Sequence, residues 1–322
     1  MKIGTHSGNF HCDEALAISI LKLLPECKDA TVVRTRDPDV LSTCSVVVDV
    51  GGVYDPSKGR FDHHQGSFDE YFDENHRVTR LSSAGLVYKH FAKRVFKEVY
   101  GVTDEANLND IYLHVYDNLI QSIDAVDTGV PIADGNLRYE VNTSLPSRVG
   151  RLNPSWVETH VDVNKRFEQA MQITLEEFDY FVRNFIDVHL TAKTVFLQVY
   201  QKRFETHPSG LVIETPRGMP FFGRLYHLEE KENIPTDQRV AFYVNYEAAT
   251  GQWRCSCVSE RGQQFTCRRP FPERLAGLTN AELENASGIK GLTFIHRGRF
   301  TCGGLTKEAV LSLITLTLQE KN

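Results

Sequence analysis

The sequence lacks any apolar stretch that approaches the ~20 residues of a membrane-spanning helix. It also has no signal peptide and no arginine-rich transit segment, because the start, Met1–His6, leads directly into strand-like sequence. If this is the natural start, we expect an intracellular protein of the cytoplasm or nucleus, with no membrane partner.

A surplus of basic residues is missing too. The chain has 36 lysines and arginines against 42 acids, which gives a net charge of −6. This charge argues against a broad surface that binds nucleic acid non-specifically, although it is compatible with a local basic patch. Binding to a nucleic acid is therefore expected to rest on a few phosphate contacts, with a short footprint and a modest salt dependence.

The patterns of disulfide-rich proteins, structural zinc domains and peptidases are also missing. The seven cysteines are odd in number and irregularly spaced, which indicates a reducing compartment. Cys255, Cys257 and Cys267 lack the wider spacing and second pair that structural zinc sites prefer. There is no His-Glu-x-x-His helix and no convincing nucleophile triad, so a peptidase fits poorly.

What the sequence does contain is an alternation of strands and helices near its beginning. Lys2–Thr5, Ala30–Arg34 and Ser45–Val50 are predicted strands, and Asp13–Leu24 is a predicted helix with acids in its first turn. The third strand is continuously apolar, as expected of a strand covered on both faces. The pattern predicts an α/β fold with a doubly wound, mainly parallel sheet.

With 322 residues the chain is long enough for two domains. Residues 1–155 are predicted to form a metal-binding catalytic domain, and residues 156–192 a helical linker. Residues 193–322 are predicted to form a smaller α+β domain, with Val195–Tyr200 as its first strand. A helix from Leu108 to Ile123 is expected to deliver two acids, Asp124 and Asp127, just beyond its end.

Candidate metal ligands follow the predicted strands. Ligands of open parallel sheets gather beyond the carboxyl ends of the strands, so these side chains are expected to meet at one edge. Each residue alone could be a helix cap or a surface residue, but an acid that ends a buried Val-rich strand, as Asp49 does, is costly unless it is paired or bound to metal. The candidate ligands are His6, His11, Asp13, Asp49, His63 and Asp127.

This mixture of carboxylates and imidazoles predicts a centre of two divalent metal ions. A carboxylate can bridge two cations ~4 Å apart, and such a pair activates water and neutralises phosphoryl oxygens. Imidazoles shift the preference from magnesium toward manganese, cobalt or zinc. Mn²⁺ is the predicted metal, with Mg²⁺, Co²⁺ and Zn²⁺ as alternatives.

The order of these motifs resembles the DHH phosphoesterase superfamily. The chain resembles more closely the melanocyte-proliferating-gene (Myg) family, along essentially its whole length. The matching stretches are Gly4 to Ala15 (GTHSGNFHCDEA), Phe61 to Gln65 (FDHHQ), Ile123 to Asp127 (IDAVD), Gly288-Ile289, Phe294 to His296 (FIH) and Gly303-Gly304.

The resemblance implies roles for individual residues. His6 and Asp13 match superfamily ligands, His11 takes the place of an Asp with a spacing one residue longer, and Asp49 matches the bridging acid. His63 matches a metal ligand, as does Asp127.

The catalytic set implied by the resemblance is His64, Asp62 and Asp124. His64 would face the substrate phosphate, Asp62 would be a supporting acid, and Asp124 an auxiliary acid.

The second domain carries a glycine motif between a strand and a helix. Paired glycines allow a backbone to approach an anion, a helix N-terminus favours it, and nearby basic side chains add donors. A plain turn with a helix cap is the alternative. The predicted substrate-binding residues are His296, Arg297, Arg299, Gly303 and Gly304.

Together these features predict a metal-dependent phosphodiester hydrolase acting on a single strand in a cleft between two domains. The resemblance implies a 3′–5′ exoribonuclease for single-stranded RNA or short oligonucleotides, in the nucleus or mitochondrion. A nucleotide or dinucleotide phosphatase, a pyrophosphatase, and a non-catalytic metal-binding regulator are open alternatives. The oligomeric state is open as well, with a homodimer among the possibilities.

Overall fold

The computed structural model describes residues 1–320. The chain forms two compact units, Met1–Ile186 and a second that begins at Asp187. This division falls inside the segment 156–192, for which the sequence predicts a helical linker.

The first unit is built on a five-stranded sheet with the order β2-β1-β3-β5-β4. Its strands are β1 (Lys2–Thr5), β2 (Thr31–Arg34), β3 (Val46–Val48), β4 (Tyr54–Asp55) and β5 (Arg60–Phe61). Strand β1 is parallel to both β2 and β3, and β3 is parallel to β5; only β4 runs antiparallel, against β5. The predicted mainly parallel α/β sheet is confirmed.

Helices surround this sheet. They are α1 (Cys12–Leu23), α2 (Pro38–Ser42), α3 (Ser83–Glu98), α4 (Glu105–Val115), α5 (Gln121–Asp127), α6 (Leu145–Gly150) and α7 (Val163–Asn184), with a 3-10 turn at Pro56–Lys58 and a π-helical turn at Tyr116–Ile120. Helix α1 packs against both α3 and α7. All of its residues from Cys12 to Leu21 are buried, so its first turn is held rigidly at the sheet edge.

The second unit contains a five-stranded sheet with the order β11-β12-β8-β7-β6 and a separate β9–β10 ribbon. Its strands are β6 (Val212–Glu214), β7 (Phe242–Glu247), β8 (Gln252–Cys257), β9 (Ser259–Glu260), β10 (Gln263–Cys267), β11 (Leu292–Ile295) and β12 (Thr301–Gly304). Its helices are α8 (Thr191–Gln201), α9 (Arg203–Thr206), α10 (Phe222–Lys231), α11 (Asn280–Ser287) and α12 (Lys307–Gln319), with 3-10 turns at Thr236–Gln238 and Glu273–Leu275. A π-helical turn at Phe185–Leu190 begins in the first unit and ends in the second. The predicted α+β character is confirmed.

Two of the secondary-structure predictions are wrong. Residues Val195–Tyr200, predicted as a strand, lie in helix α8, where Phe196 and Tyr200 are four residues apart and both buried. Short β-rich runs are ambiguous by pattern alone, and here packing decides for the helix. The helix predicted to stop at Ile123 instead continues to Asp127 after the π-helical turn. Asp124 and Asp127 therefore lie on helix α5 rather than beyond it.

Among the helices of residues 1–320, none combines the length and the apolar composition that a bilayer crossing requires.

Candidate metal centre

The predicted ligands converge at the carboxyl edge of the first sheet. His6 follows β1, Asp49 follows β3, and Asp62 to His64 follow β5. Helix α1 brings Asp13 to the same place from its first turn, and α5 brings Asp127 from its last. Three parallel strands end at this edge of the sheet, and two helices add their acids to the side chains that follow those strands.

Asp49 lies at the centre of this cluster. One of its carboxylate oxygens, Oδ2, lies 3.3 Å from Nε2 of His6, and the other, Oδ1, lies 3.1 Å from Nε2 of His63. Its backbone has a φ of +58°, which is uncommon for a residue other than glycine. This left-handed turn ends strand β3 and fixes the carboxylate between two histidines that come from different segments.

His63 joins Asp49 to the helical acids. Its Nε2 atom lies 3.0 Å from Oδ2 of Asp127 and 4.0 Å from Oδ2 of Asp13. The side chain is only 8% exposed. His63 therefore has carboxylates from β3, α1 and α5 around a single ring nitrogen.

Asp13 is the least satisfied group of the cluster. It is 1% exposed, and neither carboxylate oxygen has a hydrogen-bond partner among residues 1–320. Burial, followed by the nearby charges of Asp49 and Asp127, raises the pKa of Asp13 well above its usual range. Leaving a buried carboxylate without partners is costly, and a bound cation would remove that cost.

Glu14 is a member of the cluster that the sequence analysis missed. Its Oε1 atom lies 3.1 Å from Nε2 of His6, and both of its oxygens accept hydrogen bonds from the backbone N–H of His11 at 2.9 Å. The sequence indicated only an acid favoured in a first helical turn. Glu14 therefore caps helix α1 through His11 and also contacts His6, and nothing in the sequence alone separates this second contact from a plain cap.

Asp62 and His64 form a pair beside these ligands. Oδ1 of Asp62 lies 2.7 Å from Nδ1 of His64 and also accepts from the backbone N–H of His63, while Oδ2 accepts from the N–H of Gly52 at 2.5 Å. The His64 side chain is 63% exposed, unlike the buried Asp62. Asp62 therefore orients a histidine that is open to solvent, and its role as a supporting acid stays a prediction.

Asp124 lies outside the ligand cluster. It is completely buried, and its Oδ1 accepts hydrogen bonds from the N–H and the hydroxyl of Ser82 and from the N–H of Gly85. These bonds fix the start of α3 against α5. Because Asp124 has no solvent access, we expect it to position these two helices, and its role as an auxiliary acid stays a prediction.

The electrostatics of the cluster favour positive charge. Burial lowers the pKa of His6, but hydrogen bonds with Asp49 and Glu14 outweigh it and raise the pKa to about 10. Burial also lowers the pKa of His63, but its contacts with Asp127 and Asp49 outweigh burial and raise that pKa to about 10. Burial would raise the pKa of Asp49, yet the two histidines hold it below its usual range. The same carboxylates that raise these pKa values would also attract a metal cation, which would have to displace the protons.

The donor atoms fit divalent metal ions. Atoms within each of three groups lie within 4.8 Å of one another, and the groups are His6, His11, Glu14 and Asp49; Asp49, His63 and His64; and His11, Asp13 and Asp127. Asp49 is shared by two groups and His11 by two, which suits neighbouring cations with a bridging carboxylate. Mixed nitrogen and oxygen donors are typical of manganese, iron, cobalt and zinc sites.

In the second unit, the paired glycines lie inside strand β12. Gly303 pairs with Phe294 of β11 on one side and with Arg254 of β8 on the other. A Cβ atom added at Gly303 would lie 2.6 Å from the ring of Phe294 and 2.8 Å from Nη1 of Arg254, so glycine is required there for packing. Strand β12 does lead to helix α12, which Thr306 caps. An anion-binding role for Gly303 and Gly304 stays a prediction.

The basic residues of this motif lie in the turn between β11 and β12. His296 and Arg297 are exposed, and Arg299 has a φ of +59°. Nη1 of Arg299 lies 3.6 Å from Oε2 of Glu273. Arg297 has no hydrogen-bond or ion-pair partner among residues 1–320, so its charge faces solvent.

Known proteins resemble this chain along its full length. Residues 2–318 match the family described as "Uncharacterised protein family (UPF0160)". The MYG1 exonuclease of Homo sapiens is 40% identical over 328 residues, covering 100% of this chain and 86% of the human protein. The MYG1 protein of Dictyostelium discoideum is 39% identical over 328 residues, covering 99% of this chain and 97% of that protein. The chain therefore belongs to the UPF0160 family, which includes the mammalian proteins named MYG1 exonuclease.

Proposed function

We propose that this protein is a metal-dependent phosphodiester hydrolase of the DHH phosphoesterase type, acting as a 3′–5′ exonuclease on single-stranded RNA. The observation that carries the proposal is the placement of Asp49, whose two oxygens face His6 and His63 beside the buried, unpartnered carboxylate of Asp13. The exonuclease names of relatives that match the whole chain support a nuclease. RNA as substrate and the polarity follow from the resemblance to the Myg family.

The residues that would hold two divalent cations are the predicted ligands together with Glu14. Bound cations would supply Lewis-acid stabilisation of the phosphoryl oxygens and water of lowered pKa. We propose Mn²⁺ because imidazole and carboxylate donors occur together. The set is His6, His11, Asp13, Glu14, Asp49, His63 and Asp127.

His64 is proposed to act on the substrate directly. The Asp62 carboxylate accepts a hydrogen bond from Nδ1 of His64, which leaves Nε2 of this exposed ring to face a phosphate oxygen. A hydrogen bond donated by a protonated His64 would stabilise the charge that develops on that oxygen. Asp62 would orient the ring and stabilise its positive charge by accepting from Nδ1–H, while Nε2–H donates to the phosphate.

The second unit is proposed to bind the strand end. Arg297 and Arg299 offer charge-assisted donors, and the N-terminus of α12 follows the paired glycines directly. A net acidic chain needs such local contacts to bind a polyanion. We propose an intracellular setting, in the cytoplasm or nucleus, with the mitochondrion added on the family resemblance alone.

The proposal is tested with 5′-labelled single-stranded RNA and Mn²⁺-loaded protein. We expect stepwise shortening from the 3′ end, and loss of activity with chelator, with Asp49→Asn and with Asp13→Asn. Asp29→Asn is the matched control, because this exposed acid lies before β2 at the opposite end of the strand.

The products separate the alternatives. Cleavage of dinucleotides or pyrophosphate without shortening of longer RNA would replace the exonuclease with a small-molecule phosphatase or a pyrophosphatase. Metal binding without turnover of any of these substrates would favour a regulator. Full activity of Asp49→Asn in chelator would contradict the metal-dependent scheme.

A further inference from the structure

Two arginines at the end of strand β2 differ sharply in their surroundings. Arg34, the last residue of the strand, donates to the backbone oxygen of Gly8 at 2.6 Å, and its guanidinium lies 4.8 Å from the ring centroid of Phe167. Arg36 is exposed and has no hydrogen-bond or ion-pair partner among residues 1–320. The contacts of Arg34 therefore give its side chain a structural role, whereas no contact within the described residues gives one to Arg36.

Arg36 lines the cavity beside the metal-ligand cluster. This cavity has a volume of about 330 Å³ and opens onto solvent. The adjacent β1 and β2 are parallel, so Arg36 follows β2 at the same edge at which His6 follows β1. The other side chains that line this cavity include His6, His11, Asp49, Asp62 and His64.

The acids near Arg36 are already engaged by other groups. Asp49 faces His6 and His63, and Asp62 accepts from Gly52 and His64. Asp37, the next residue in the chain, accepts from the N–H of Asp39 and caps helix α2. None of these carboxylates lies within ion-pair distance of the Arg36 guanidinium, so its charge is available to a ligand.

Two consecutive glycines, Gly51 and Gly52, also line this cavity. Gly51 and Gly52 have φ values of +100° and +68°, and an added Cβ atom at either would meet no atom within 4 Å. The backbone here borders open space, and glycine permits a ligand to approach it closely. A tetrahedral anion can therefore reach Arg36 without a steric barrier from these glycines.

We infer that Arg36 forms a phosphate-binding subsite beside the metal centre, at which its guanidinium binds nonbridging oxygens of the substrate. The inference rests on the proposed function, because it names a phosphoryl group as the ligand. A planar guanidinium presents paired N–H donors that match two phosphate oxygens, which a lysine ammonium cannot reproduce. The subsite offsets the repulsion that a carboxylate-rich centre exerts on a polyanion.

The experiment compares Arg36→Gln, Arg36→Lys and Lys28→Gln in the full chain with Mn²⁺. Lys28 is the matched control, since it is an exposed cation that lies before β2, at the opposite end of the same strand. Binding of adenosine 5′-monophosphate is measured by calorimetry, with inorganic phosphate as competitor. RNA hydrolysis is measured in parallel as separate KM and kcat values.

We expect Arg36→Gln to weaken nucleotide binding by roughly 10- to 100-fold, as for loss of a charge-assisted contact. KM for RNA should rise more than kcat falls, Arg36→Lys should recover part of the loss, and Lys28→Gln should bind as wild type. Inorganic phosphate should compete in the wild type and fail to compete in Arg36→Gln. Thermal unfolding should be unchanged, because Arg36 has no partner to lose.

The two proposals fail in different ways. If the wild type binds adenosine 5′-monophosphate but does not shorten RNA, the exonuclease proposal fails while the subsite is still measured by binding. Wild-type nucleotide binding by Arg36→Gln would overturn the subsite. An equal loss in Lys28→Gln would also overturn it, because a general electrostatic effect would then explain the result.

Discussion

Nε2 of His63 lies 3.0 Å from Oδ2 of Asp127, which links the end of strand β5 to the last residue of helix α5. This contact joins two motifs that are far apart in the sequence. Asp127 also contributes to a group of donor atoms with His11 and Asp13. The relationship therefore predicts that Asp127 contributes to metal binding and not only to the orientation of His63.

Asp127→Asn should weaken Mn²⁺ binding by at least tenfold and lower hydrolysis by roughly 100-fold, because an amide is a poorer metal ligand than a carboxylate. Calorimetric titration of Mn²⁺ into metal-free protein measures the first effect. Asp117→Asn is the control, as this acid pairs with His76 at the surface. Unchanged Mn²⁺ affinity in Asp127→Asn would remove this residue from the ligand set.

Asp62→Asn and His64→Gln should each reduce kcat by about 10- to 100-fold, while Mn²⁺ affinity changes little. The reason is that Asp62 orients the exposed His64 through its Nδ1 atom. Because the two residues act as one unit, the double variant should lose little more than either single variant. Fully additive losses would show that the two side chains act independently.

Asp124 should make stability depend on pH. Burial raises the pKa of Asp124 to about 7, although bonds from Ser82 and Gly85 favour its charged form. An acid whose pKa is higher in the folded state than in the unfolded state stabilises the fold while it is protonated. The contribution of Asp124 to stability is therefore fully present below its unfolded pKa near 3.8 and is lost as pH rises through about 7. From pH 5 to 8 the wild type should lose roughly 3 kcal/mol through this group.

Urea unfolding of metal-free protein at several pH values measures this loss. Asp124→Asn cannot titrate, so its stability should fall less over the same range, even if the variant is less stable at pH 5. Curves that run parallel from pH 5 to 8 would contradict the assignment. Tyr116 does not titrate in this range, because burial and the neighbouring charge of Asp124 raise its pKa well above its usual value.

Gly85→Ala should destabilise the first unit. An added Cβ atom would overlap both carboxylate oxygens of Asp124 and a methyl group of Leu81, all of which are buried. Overpacking of this kind costs about 1–3 kcal/mol. In the Asp124→Ala background the same change should cost less, because the overlapping carboxylate is gone. Unfolding midpoints of the four proteins in this cycle test the prediction.

Arg297→Ala should raise KM for RNA severalfold and leave kcat nearly unchanged. Arg297 is exposed in the turn between β11 and β12 and has no ion-pair partner among residues 1–320. A residue that binds substrate and transition state equally alters KM alone. Arg261→Ala is the matched control, since Arg261 is already paired with Glu230. A fall in kcat at constant KM would place Arg297 closer to the reacting atoms.

Much of the first unit could be predicted from local pattern. The continuous apolar run before Asp49 predicts a covered strand, and strands β1 to β3 lie where the sequence placed them, within a residue or two. The carboxyl-end rule then brings His6, Asp49 and His63 together without any knowledge of side-chain positions. These inferences succeed because strand direction and strand ends are encoded locally.

Roles that depend on packing could not be predicted. Asp124 and Asp127 are both acids on one short helix, yet one is buried against Ser82 and the other faces His63. Val195–Tyr200 has a strand-like composition but is helical, because Phe196 and Tyr200 are buried on one face. Local propensity is outweighed in each case by the surface that tertiary structure covers.

By itself, the sequence determined the α/β class, the edge at which the candidate site lies and most of the residue types that meet there, since these follow from periodicity and residue order. Only the tertiary structure decided that Glu14 joins the site, that Asp13 is buried without hydrogen-bond partners and that Arg36 lines the same cavity. The physical reason is that burial and charge pairing are set by several distant segments at once. Residue order specifies which segments exist, and packing specifies which of their side chains share an environment.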